Sequence, residues 1–131
     1  MVLTVRVYDE TTTGDRSEEL TLDFLTEVVT VRELIRARVY QEVAEYNAKQ
    51  PSHYRGLVQP GVVERRLNGE HSPMPHRIDW EAQYAKAIEA FGRNGFLLLI
   101  DDRQVIDLDD EIILRHDTSV TFLRLVPLVG G

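Results

Sequence analysis

Residues 119 to 126 carry apolar side chains on both of their alternating faces, Val120, Phe122 and Val126 against Leu123 and Leu125. A strand that shows one face to water alternates apolar with polar residues, so this run belongs in the middle of a sheet and not at its edge. Pro127 ends it. Phe96 to Ile100 is a second buried-strand run, and Asp101-Asp102-Arg103 reads as a tight turn into a short strand near Gln104, Val105 and Ile106. At the other end of the chain, residues 2 to 8 alternate with period two and place Leu3, Val5 and Val7 on one face. The polar stretch Thr11 to Asp15 has turn chemistry, and a second alternating run follows with Leu20, Leu22 and Phe24 on one face. Two strands joined so closely are predicted to pair antiparallel.

A helix is predicted from about 31 to about 48. Thr30-Val31-Arg32-Glu33 fits a capping box, and Val29 and Leu34 are spaced as its hydrophobic staple. Val31, Leu34, Ile35, Val39, Val43 and Tyr46 fall on one side of the wheel, and Pro51 disfavours helical geometry just before it. A second helix is expected after Asp79 as N-cap, with Trp80, Tyr84, Ala87, Ile88 and Phe91 at helical spacing and Gly92 closing it. Between the helices lie four of the five prolines, and Asn68-Gly69 offers only a weak hairpin, so this stretch reads as an irregular insertion. The order is hairpin, helix, insertion with helix, strand, short strand, strand. The expectation is one α+β domain over 1–126, a mixed sheet crossed by a helix, with a helical and loop insertion at about 50–95 before the third strand.

Composition narrows the chemistry. With 131 residues, 43% of them apolar and 28% charged, the chain has the makeup of one globular domain. It contains no cysteine, which removes disulfides, thiolate ligands and a nucleophilic thiol. Fifteen basic residues against 22 acidic ones leave a net charge of −7, so nucleic acid is not an expected partner. The longest apolar run has five residues (Phe96–Ile100), and the sequence opens directly into strand alternation. The expectation is a cytoplasmic protein without a membrane partner. His53, His71, His76 and His116 lack metal-ligand spacing, and the acidic series Asp101, Asp102, Asp107, Asp109, Asp110 and Glu111 lacks the pattern of a calcium loop. These read as solvated residues and turns. No metal, bound cofactor, phosphate loop or nucleophile elbow is expected.

The stripe Trp80, Tyr84, Ile88 and Phe91 reads as core contact, with a docking surface as its functional alternative. The insertion is locally basic, with Arg55, Arg65, Arg66 and Arg77 against Glu64 and Glu70, which offers a specificity element for an acidic partner. The apolar residues of Phe96–Ile100 and Val120–Val126 that the first helix leaves uncovered go either to the insertion or to an exposed recognition patch.

The sequence closes Val126-Pro127-Leu128-Val129-Gly130-Gly131. Glycine has no Cβ, so a diglycine enters narrow channels and adopts backbone angles closed to other residues, and its carboxylate is unhindered. An enzyme could set the Gly131 carboxylate against the α-phosphate of ATP. The order of elements, the segments Thr21 to Phe24, Thr30 to Ile35 and Ile100 to Val105, and the stretch Asp117 to Gly131 resemble ubiquitin-like proteins and their sulfur-carrier relatives, the molybdopterin-synthase small subunit and the thiamine-biosynthesis sulfur carrier. The proline in the tail is nearer to the sulfur carriers; residues 50 to 95 have no counterpart. The resemblance implies a β-grasp fold and a prokaryotic ubiquitin-like modifier, a substrate and not an enzyme. Gly131 and Gly130 would be the point of activation, Pro127, Leu128 and Val129 the recognised tail (127–131). The implied partners are an activating enzyme that uses ATP, a conjugating enzyme, a deconjugating protease and a target protein. The alternatives are a sulfur carrier holding a thiocarboxylate at Gly131 and a non-covalent β-grasp interaction module. Only Lys49 and Lys86 are available for chain building through side chains.

Overall fold

A computed structural model describes residues 2–49, 57–58 and 77–125. The chain divides into two compact units, one of Met1–Leu34 with Ala90–Gly131 and one of Ile35–Glu89.

The first unit is built on a five-stranded mixed sheet. Strands β1 (Leu3–Thr11) and β2 (Arg16–Phe24) form the predicted hairpin, with Leu3 opposite Phe24 and Val5 opposite Leu22. Its turn is closed by the amide of Thr11 donating to the Asp15 carbonyl at 2.9 Å. Gly14 takes the left-handed φ of +97° that the turn requires. Strands β4 (Phe96–Ile100) and β5 (Arg103–Val105) form a second antiparallel hairpin. Asp101 and Asp102 supply positive φ angles of 49° and 68°. That is a primed two-residue turn, which matches the right-handed twist of its strands. Strand β7 (Ser119–Arg124) joins the two hairpins, parallel to β1 and antiparallel to β4, so the order across the sheet is β2-β1-β7-β4-β5.

That central place explains the two-sided apolar pattern of β7. Val5 and Val7 of β1, Leu98 of β4 and Val120 and Phe122 of β7 are all fully buried. The rings of Phe91, Phe96 and Phe122 follow one another at 5.7 and 5.8 Å between centroids, tilted by 50° and 45°. Both spacings are within the range of favourable aromatic pairs. Each such side chain contributes about 1.5–3 kcal/mol on burial.

A smaller sheet pairs β3 (Val28–Thr30) with β6 (Glu111–Ile113), antiparallel. Neither strand is part of the sequence reading, which puts a helix directly after the hairpin. Three residues give too short a pattern to read, and Val29 and Ile112 are buried while their neighbours are exposed or half-buried. The strand after the insertion is accordingly the fourth in chain order and not the third. Helix α1 (Val31–Lys49) starts from β3. The Thr30 hydroxyl accepts the Glu33 amide at 3.1 Å, the first half of the capping box. The amides of Val31 and Arg32 donate to the carbonyls of Asp110 and Leu108 at 3.0 and 2.9 Å. Amides in a first helical turn have no partner inside the helix, so these bonds satisfy them. Val29, Val31 and Leu34 are buried, as the staple reading requires.

The second unit contains the rest of α1 and most of α2 (Trp80–Gly92). The Asp79 carboxylate accepts the Glu81 amide at 3.1 Å, an N-cap as expected. At its other end, in the first unit, α2 is closed by Asn94 at a φ of 59°. There the amide of Gly95 donates to the Ala90 carbonyl at 2.7 Å, a hydrogen bond typical of helix ends. Gly92 lies inside the helix; the left-handed position falls two residues later, on an asparagine, which tolerates it. Ile35, Val39, Val43, Tyr46 and Ala87 are buried, joined by Leu57 and Ile78 from the long connection. In α2 the stripe Trp80, Tyr84 and Ile88 is half-buried, and the most buried positions are Gln83 and Ala87, so the inward face lies one step round from the aromatic one. No described helix is long and apolar enough to cross a membrane.

Candidate functional site

The residues expected to carry the chemistry are Gly131 and Gly130, with Pro127, Leu128 and Val129 before them. All five lie outside the described residues. What is described is the strand that leads to them. Alternation along β7 puts Val120, Phe122 and Arg124 on one face and Ser119, Thr121 and Leu123 on the other. Val120, Thr121 and Phe122 are buried, Leu123 and Arg124 are half-buried, and Leu125 is 38% exposed. The chain thus passes from packed at Phe122 to exposed at Leu125, one residue past the end of the strand.

Its end is fixed by charge. The Arg124 guanidinium donates to the Asp9 carboxylate at 2.9 Å, and the Asp9 side chain is only 12% exposed. This is a charge-assisted bond with part of its solvent removed. Across the other face, the Arg16 guanidinium lies 4.2 Å from the centroid of the Tyr8 ring, within cation–π range. The same guanidinium donates to Ser119 Oγ at 3.2 Å and Thr121 Oγ1 at 3.5 Å. Asp9, Thr11, Asp15, Arg16, Ser17 and Arg124 line a polar cleft of about 230 Å³ beside the last residue of β7. The Arg124–Asp9 pair holds the end of β7, and Arg16 holds its first half through Ser119 and Thr121. The arrangement ties the strand end to β1.

The start of β7 is held in the same manner. The Asp101 carboxylate accepts the Ser119 amide at 2.8 Å, and the Thr118 hydroxyl accepts the Arg115 amide at 2.8 Å. His116 is exposed and lines a cleft of about 330 Å³ with Arg6, Tyr8 and Asp117. Asp107 caps its own loop by accepting the Asp109 amide at 3.0 Å, Asp109 lies 3.6 Å from the Arg32 guanidinium, and Glu111 belongs to β6. Among the described residues, no group of three or more histidines and acidic residues is placed to hold a metal ion. His53, His71 and His76 lie outside the described residues, as do Arg55, Arg65, Arg66, Glu64 and Glu70 of the insertion. Of its basic residues Arg77 is described, and it is exposed.

In the second unit, side chains grip the described ends of the long connection. Arg38 is fully buried and contacts Glu42 Oε2 through Nε at 3.3 Å and Nη2 at 3.2 Å. The other oxygen of Glu42 accepts the Leu57 amide at 2.9 Å, and Gln83 Nε2 donates to the Val58 carbonyl at 2.8 Å. Asn47 accepts the Ile78 amide at 2.9 Å and donates to its carbonyl at 3.0 Å, the pairing one strand offers another. Sequence reasoning missed all four. The spacing of Arg38 and Glu42 on the apolar side of the α1 wheel was the available signal, since buried charge needs a partner at that distance.

Comparison of the chain with protein-family models, with curated proteins and with solved structures finds no match.

Proposed function

We propose that this chain is a ubiquitin-like protein modifier with a β-grasp fold, activated at Gly131 and transferred to a target. One observation carries the reading. A sheet of order β2-β1-β7-β4-β5, with a parallel central pair between two antiparallel hairpins and a helix after the first hairpin, is compatible with a β-grasp, and its central strand leads in sequence into Val126-Pro127-Leu128-Val129-Gly130-Gly131. From Arg124 to Gly131 an extended chain reaches at most about 24 Å, enough to enter a slot in another protein. The firm anchoring of Arg124 supports the same reading, because a tail threaded into an enzyme pulls on the strand behind it.

In this reading the chain is a substrate. An oxygen of the Gly131 carboxylate attacks the α-phosphorus of ATP and expels pyrophosphate, leaving an acyl-adenylate. A thiolate of the activating enzyme then attacks the acyl carbon and expels AMP, giving a thioester that a conjugating enzyme can pass to a target. A free carboxylate resists nucleophiles through its charge; the anhydride removes that obstacle. With Lys49 and Lys86 the only lysines, single attachment suits the chain better than side-chain polymers. Pro127 favours a second reading, a sulfur carrier in which sulfide sulfur displaces AMP and leaves a thiocarboxylate; a non-covalent module is the third.

The test incubates the chain with ATP and its activating enzyme and follows pyrophosphate release and intact mass. The modifier reading expects a thioester with the enzyme and adducts on other proteins, both lost on deletion of Gly131. Exchange of one oxygen for sulfur assigns the carrier. Unchanged product after the deletion overturns activation at Gly131.

A further inference from the structure

The second unit carries a cleft that the proposed activation does not use. It has a volume of about 420 Å³, and Tyr40, Ala44, Asn47, Ala48, Arg77 and Trp80 form most of its wall. Tyr40 is 51% exposed, although its ring meets Trp80 edge-on at 5.3 Å between centroids. Ala44 and Ala48 are exposed and small, so a visiting chain can approach the surface of α1 closely. Asn47 does not compete for the visitor, since its amide is spent on the Ile78 backbone.

Two cations flank the aromatic pair. The Arg36 guanidinium sits 5.0 Å from the centroid of Trp80, and Arg77 lines the cleft itself. Both are exposed, and among the described residues neither forms an ion pair with a carboxylate. On a chain of net charge −7, the cleft is lined among the described residues by one charged residue, Arg77, and by no acidic one.

We propose that this cleft binds an acidic peptide segment of a partner protein, one apolar side chain lying in the cleft against the Tyr40 and Trp80 rings while flanking carboxylates pair with Arg36 and Arg77. A cleft of about 420 Å³ takes a large side chain together with part of the backbone beside it. Guanidinium matches carboxylate in a planar, two-point contact, and aromatic residues with arginine are the usual anchors of protein interfaces. The overall negative charge disfavours a nucleic acid, whose phosphates meet that field along their whole length. A peptide brings its charges only where the arginines stand. The inference is independent of activation at Gly131.

Trp80 is the only tryptophan, so its fluorescence reads the site directly. The probe is a blocked pentapeptide, Glu-Glu-Leu-Glu-Glu, titrated against the full chain, with Lys-Lys-Leu-Lys-Lys, Glu-Glu-Ser-Glu-Glu and a ten-residue oligothymidylate as controls. The expected result is a saturable change in Trp80 emission with the acidic leucine peptide alone, weakened about tenfold by R36E/R77E and reversed by that variant in favour of the lysine peptide. Both arginines are exposed, and a far-UV spectrum equal to that of the parent shows that the variant is folded; if it is not, R77E alone serves. Equal binding of the serine peptide removes the apolar anchor, a response to oligothymidylate assigns the cleft to nucleic acid, and an unchanged affinity in the folded variant removes the arginines. Any of these results, or silence toward the acidic leucine peptide, overturns the proposal.

Discussion

Replacing Arg38 by methionine keeps most of the volume of the side chain and deletes its charge. In the parent, two nitrogens of Arg38 meet one oxygen of Glu42 at 3.2 and 3.3 Å, with side chains 0% and 7% exposed. An exposed pair at this helical spacing contributes only about 0.3–0.5 kcal/mol, but here water cannot replace the lost partner. Glu42 cannot swing out either, because its second oxygen holds the Leu57 amide at 2.9 Å. The variant therefore takes the guanidinium away from a buried carboxylate, which costs about 3–5 kcal/mol. Changing Glu42 to glutamine as well removes the charge and keeps an acceptor for Leu57. What remains is a buried amide short of a partner, about 1–3 kcal/mol. The double variant should thus be more stable than R38M alone by about 2 kcal/mol, an inversion of simple additivity. Denaturation by urea measures the totals, and amide exchange at Leu57 assigns the loss to the second unit. If R38M costs less than about 1 kcal/mol, or the double variant is weaker than the single one, the pair is not the buried, mutually dependent unit described.

Two further outcomes concern α1. Thr30→Ala removes the acceptor of the Glu33 amide and should cost about 1 kcal/mol in urea denaturation, with Thr30→Ser close to the parent. Burial pushes the Tyr46 phenol above its ordinary value of 10.0, so the unfolded chain loses this proton first. Stability should hold below that ordinary value and decline as pH rises from there through the folded one, and Tyr46→Phe should flatten that alkaline limb.

The longer strands of the large sheet are readable from their patterns, since β1 and β2 alternate and β4 and β7 are apolar runs, while the three-residue β5 is read from the Asp101-Asp102 turn before it. The first helix is equally clear, since its cap and its stripe agree. The small sheet is not, because β3 and β6 give three residues each and their stability comes from pairing across some eighty positions, a contact no local window contains. The buried polar residues fail for another reason. Patterning treats Arg38, Glu42 and Gln83 as surface residues, whereas the backbone groups of Leu57 and Val58 require partners once they are packed against the helices. Asp9 and Arg124 are 115 residues apart, and only the parallel pairing of β1 with β7 brings them together. Of the stripe in α2 only Trp80 lines the aromatic cleft; the rest of its described wall comes from α1 and Arg77, which the pattern of α2 does not contain.

The placement of β7 also governs how the molecule is made. Synthesis is vectorial, and the hairpin of β1 and β2 leaves the ribosome long before the strand that must lie against it. A nascent chain halted between Val105 and Ser119 has both hairpins and no strand to join them, so Val5, Val7 and Leu98 lack the neighbour they pack beside in the complete sheet. Products cut short before β7 are therefore expected to be more open to proteolysis than the complete first unit, whose sheet closes only with the pairing of β7 to β1 and β4.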